Sequence, residues 1–135
     1  MNQEDLQKLK DTNSCPTGDF EGAYLSGMDL RRANLSGAAL KKANLSNADL
    51  TEANLSVADL TGAKLDSAKI RQANLEGTLL VSADLRHANL GSANLMFADL
   101  SKADLYKANL TNASISEAKF CSTTLPDGKI SNRDC

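Results

Sequence analysis

Few residues in this chain are equipped for chemistry, and their spacing assembles none of the usual centres. The single histidine, His87, neighbours Arg86 and is expected to be a solvated surface imidazole rather than a general base. Three cysteines, Cys15, Cys121 and Cys135, belong to no His/Cys/Asp cluster with metal-ligand spacing. Their odd number argues against a chain in which every thiol is paired. The eight glycines are dispersed, so there is no glycine-rich phosphate loop; Gly27, Gly37, Gly62 and Gly77 share one phase and read as turn residues. No catalytic residue, cofactor-binding residue or metal ligand is assigned, and an enzyme is the least supported class.

What organises these residues is a five-residue beat. Every fifth position from Phe20 to Leu125 is Leu, Ile or Phe, 22 in succession. Two residues before each, from Ala23 to Ala118, stands Ala, with Met28 and Thr78 the exceptions. Asn or Asp dominates the position between, as in Asp29, Asn34, Asn44 and Asp49. An α-helix would spread such a beat around its whole circumference, and a flat strand would throw successive leucines to opposite faces. The remaining solution is a chain that turns a corner every five residues. On each short side the beat residue and the one two before it point inward, and the other three look outward. Carboxylates five apart, such as Asp99 and Asp104, then lie on adjacent sides and face different directions. Coils of this kind stack through backbone hydrogen bonds; the period alone leaves three or four sides per coil open.

The unit Ala-[Asp/Asn]-Leu, present as Ala33-Asn34-Leu35, Ala48-Asp49-Leu50 and Ala83-Asp84-Leu85, resembles the pentapeptide-repeat family over about residues 18–125. That resemblance implies an all-β fold, a right-handed quadrilateral parallel β-helix with four repeats per coil. Some five coils would make a rod of roughly 26 Å at the usual inter-strand spacing. Small Ala would suit a narrow lumen, Leu would stack on the Leu 20 residues away, and the Asx side chains would hydrogen-bond backbone at the turns.

Both ends are expected to be capped, because an open coil exposes its core and an unpaired backbone edge. Residues 1–17 form the front cap, with Glu4 to Lys10 as a short helix placing Leu6 and Leu9 on one face. Residues 18–125 form the rod, and Pro126-Asp127-Gly128 turns the tail 126–135 back over the last coil. Such a return would bring Cys121 and Cys135 within bonding distance; two free thiols are the alternative. The ending resembles that of cyanobacterial and plastid thylakoid-lumen members, whose last two cysteines can pair, and this resemblance implies a disulfide. Residues 1–14 contain no apolar run, and no transmembrane stretch occurs. The chain as it stands reads as cytoplasmic, with thylakoid lumen or periplasm the alternative if a targeting segment was removed.

Stepping by 20 residues maps the outer faces. Val57, Leu79, Val81, Met96 and Phe97 fall together as an apolar patch where Leu79 and Thr78 depart from the repeat. Clustered exposed apolar groups mark a contact surface, for a protein partner or for self-association; tolerated drift is the bland reading. Some relatives in the family mimic DNA and bind gyrase. That role needs a broad acidic surface, whereas the net charge here is −2 and acids interleave with bases, as in Arg31, Arg32, Lys41 and Lys42 around Asp29. A field this mixed also binds nucleic acid poorly. The expected function is a non-catalytic interaction scaffold without cofactor or small-molecule substrate, and gyrase mimicry is the alternative.

Overall fold

The computed structural model describes all 135 residues. Its unit is a single five-residue side closed by a turn. Leu50 N–H donates to the carbonyl of Lys69, 19 residues on, while its own carbonyl accepts from Ala53 N–H at 2.9 Å. The second bond closes the corner, and Glu52 within it adopts the left-handed conformation at φ 60°. That pattern, with positive φ at the third residue of a four-residue turn, recurs at nearly every corner. Glycine fills some of these places, but Lys, Ser, Gln and Glu fill more, so the turn bond holds residues that would rarely adopt this conformation alone.

Four sides make each coil. Nineteen parallel bridges run from Ser14↔Asn34 to Asp104↔Thr124, one at every fifth residue, each joining residues 20 apart. The expected β-helix is therefore realised as isolated bridges rather than long strands. Two corners per side leave only the Asx residue fully within the ladder, too short a run for a regular strand. Ala and the beat residue point inward as expected; Leu35 through Leu105 are buried throughout, and 38 residues form one continuous core. Thr78 replaces Ala inside this core, with its hydroxyl donating to the Leu75 carbonyl at 2.8 Å. No lumen remains to receive a substrate.

Cys15 belongs to this core too. It lies five residues before Phe20, on the same beat, and is buried. The ladder thus begins at Ser14, inside the segment expected to be cap. Because Cys rather than Leu stands there, the repeat cannot be seen to start so early. Burial pushes the Cys15 thiol above its ordinary pKa.

Helix α1, Gln3–Thr12, closes the front end. Asn2 caps it, its side chain accepting from Glu4 and Asp5 N–H, and Asn13 ends it in the left-handed conformation. Leu9 is fully buried, and Leu6 packs beside it against the core. At the far end two short antiparallel strands, β1 (Thr123–Thr124) and β2 (Ile130–Ser131), fold the tail back through the turn at Pro126 to Gly128. Cys121 and Cys135 are joined by a disulfide, as the resemblance implied.

Two consequences can be measured by urea unfolding. Leu65→Ala should cost about 2–5 kcal/mol, since its column cannot collapse around the void, and Leu65→Asp should leave the chain unfolded. Reduction of Cys121–Cys135, or Cys135→Ser, should lower stability by up to about 3 kcal/mol while the coils below stay folded.

Candidate interaction surface

The outer surface is built from three positions per side, and each has its own work. The Asx residue turns its side chain back along the chain: Asn54 Oδ1 accepts Ser56 N–H, Asp59 accepts Thr61 N–H, and Asn94 accepts Met96 N–H, all at 3.0 Å. These residues are thus half-buried turn elements rather than free ligands. The next position carries side chains along the side, and the third, at the corner, projects its side chain from a left-handed backbone.

The expected patch lies across one such corner. Val57, Gly77 and Phe97 occupy successive levels of the corner column, and Leu79 begins the adjoining side. Val57 is 67% exposed, Phe97 57% and Leu79 43%. Val81 and Met96 are only half-buried margins of this surface, because the neighbouring levels above and below cover their sides. Val57 leans over Gly77, where an added Cβ would come within 3.2 Å of its Cγ1. Two of these residues are costly where they stand. Val57 is β-branched yet sits at φ 51°, a combination shared only by Thr17 among the non-glycine residues of positive φ. Leu79 has no side-chain acceptor, so Val81 N–H lacks the Asx bond made on most other sides.

Elsewhere several surface charges are paired with neighbours. Arg86 makes a two-pronged pair with Asp84 at 2.9 and 2.7 Å, and Arg31 pairs likewise with Asp29. Those hydrogen bonds hold the Asp29 carboxyl down at about 2, and Asp84 is lowered for the same reason. Arg32 reaches Glu52 on the next coil at 3.3 Å. The basic cluster of the first coil is therefore partly neutralised. A cleft of about 560 Å³ beside it is lined by Asn13, Asp29, Arg31, Arg32, Thr51 and Glu52. Its acids and bases are tied to each other, Asp29 to Arg31 and Glu52 to Arg32. His87 rests edge-on against Tyr106, with ring centroids 6.4 Å apart. No three His, Cys, Asp or Glu side chains gather where a metal could bind, and no helix is long and apolar enough to cross a membrane.

A coil of four five-residue sides, repeated with this sequence beat, has a counterpart among known proteins. The family described as Pentapeptide repeats matches in eight copies, over residues 19–56, 58–95 and 88–125. The chain belongs to the pentapeptide-repeat family. Among solved structures it is similar to the pentapeptide-repeat protein Rfr23 from the cyanobacterium Cyanothece 51142. Identity is 28%, with 90% of this chain and 94% of that one covered, at a TM-score of 0.60. It also resembles HetL from Nostoc, a protein involved in heterocyst differentiation regulation. There the identity is 24%, coverage is 97% and 100%, and the TM-score is 0.42. A pentapeptide-repeat protein of the Arabidopsis thaliana thylakoid lumen is 29% identical, with 85% and 70% covered at a TM-score of 0.42. Comparison with curated protein sequences returned no match.

The tail gives a pH-sensitive handle on this pentapeptide-repeat rod. Asp134 accepts Phe120 N–H at 2.9 Å, which lowers its pKa in the folded chain, with Arg133 alongside. A lowered carboxyl contributes stability above its unfolded pKa and loses it as pH falls through the folded value. Asp134→Asn should therefore flatten the fall in melting temperature as pH drops below about 4, relative to the wild type, in thermal scans.

Proposed function

We infer that this protein is a non-catalytic scaffold, a rigid right-handed quadrilateral rod that docks a protein partner on the corner formed by Val57, Leu79 and Phe97. Val81 and Met96 form the margin of that surface. The observation that carries this reading is the coincidence of cost and exposure. At one corner a β-branched residue holds a left-handed backbone, and an aliphatic side chain displaces a turn-forming Asx. Neither buries itself in the core in return. Large exposed apolar groups clustered in this way are what a desolvating contact uses. The filled lumen supports a binding role over catalysis.

DNA mimicry toward gyrase has no comparable support. Basic and acidic residues mix along the columns, as in Asp49↔Lys69 and Lys64↔Asp84, and Arg31 and Arg86 are neutralised by neighbouring aspartates. Such a surface does not reproduce a phosphate track.

The test separates fold from contact. Leu79→Asn restores the missing Asx acceptor and should raise stability by about 0.5–1.5 kcal/mol. The same change should abolish partner capture from a lysate of the native organism, as should Phe97→Lys at unchanged melting temperature. Retention of the same partner by both variants would exclude this corner as the contact. A partner-free wild type that sediments as a dimer, with both variants monomeric, would assign the corner to self-association.

A further inference from the structure

The C-terminal end of the rod is only half closed. Two of its four sides are covered by the tail, largely through side chains that stand in for a missing coil. Phe120 N–H donates to Asp134 Oδ2 and Ser122 N–H to Asn132 Oδ1, both at 2.9 Å, while Arg133 donates to the Ala118 carbonyl at 2.7 Å. Leu125 N–H completes this half on the Lys129 carbonyl.

The other two sides, residues 108–112 and 113–117, have no such cover. One coil below, Leu90 and Ser92 N–H donate to Asn109 and Thr111, and Leu95 and Phe97 N–H to Ser114 and Ser116. Their counterparts in the last coil, the N–H groups of Leu110, Asn112, Ile115 and Glu117, find no acceptor in the protein. The carbonyls of Ala108 and Ala113 likewise receive no donor, whereas those of Ala88 and Ala93 do. The core opens at the same place. Ile115 is 39% exposed and Leu110 half-buried, where Leu90 and Leu95 are completely covered. A cleft of about 670 Å³ follows the second of these sides, lined in part by Ala113, Ile115, Glu117, Lys119 and Arg133.

We propose that this edge is a strand-addition site for an extended segment of another protein, which pairs in parallel with residues 108–117 across the corner between them. The chemistry of the edge selects the occupant. Donors and acceptors in ladder spacing are satisfied by a polypeptide backbone, which a nucleic acid or small ligand does not present. Register follows from the coils beneath: the segment places a Leu, Ile or Phe over each of Leu110 and Ile115, five residues apart, with a small residue two before each. Within the two sides only Glu117 is charged, and Lys119, Arg133 and Asp134 stand beside the second of them, so recognition rests chiefly on backbone and apolar contact. The interior coils of a second copy, from Asn34 to Asp104, cannot serve, because they are already paired on both edges; Tyr24 and Asp29 of its first coil keep one edge free. This site is separate from the corner at Val57, Leu79 and Phe97, and stands or falls independently of it.

Amide hydrogen exchange of the intact protein tests the assignment, with a synthetic ten-residue peptide of the sequence of residues 43–52 as probe. In the free protein the amides of Leu110, Asn112, Ile115 and Glu117 should exchange rapidly, and those of Leu90, Ser92, Leu95 and Phe97 slowly. Saturating peptide should slow the first four at least tenfold and leave the tail unchanged. A peptide with Pro at alternate positions should give no protection. Ile115→Lys should abolish the effect; Ile115→Val, which keeps the apolar contact, should retain it. Absence of protection at millimolar peptide would overturn the proposal, as would protection spread over other faces. Protection that rises with protein concentration alone would also overturn it, and would make a second copy the occupant.

Discussion

Everything in this molecule depends on backbone hydrogen bonds between residues twenty positions apart. A five-residue side with a corner at each end cannot support itself: it has one ladder residue and a turn that most side chains resist. Stacked on an identical side it acquires partners above and below, and the turn carbonyl is satisfied within the corner. Stability is therefore a property of neighbouring coils, as in other repeat architectures, and no single side is a folding unit. The Ala and Leu columns follow from this. Only a small residue fits where four sides converge, and only a larger apolar one fills the space between levels.

The same dependence explains why the ends carry so much individual chemistry. Within the rod each level is supplied with partners by its neighbours. At the ends the supply stops, and the chain substitutes whatever it has: a capped helix with Leu9 in the mouth at the front, and Asp134, Asn132 and Arg133 at the back. The disulfide anchors the second of these. Its partial coverage is as informative as its presence, because the sides it leaves bare expose a row of backbone groups whose counterparts one coil below are paired.

Function in such a molecule is confined to what the repeat does not need. Asx residues, which look available in sequence, spend their oxygens on the turns. Arg31 and Arg86 close onto adjacent aspartates. Among the apolar side chains left exposed, Val57, Leu79 and Phe97 gather at one corner, where Val57 and Leu79 depart from the requirements of their positions. Membership of the pentapeptide-repeat family accounts for the scaffold; the departures from its pattern are where this protein differs from a generic rod.

Much of this was legible from residue order. The five-residue beat alone determined which side chains face inward, because local sterics admit only one arrangement of small and large residues on so short a side. It also determined the Asx turns, which join residues two apart. Leu6 and Leu9 marked the front helix for the same local reason. Tertiary structure decided the rest. Four sides per coil, and hence which residues share a column, follow from the 20-residue closure rather than from the beat. Cys15 proved to be a core residue because the coil starts before its pattern does. Val81 and Met96 proved half-covered, since exposure depends on levels twenty residues away. Which half of the last coil lies open was settled by where the tail returns, and no local signal encodes that path.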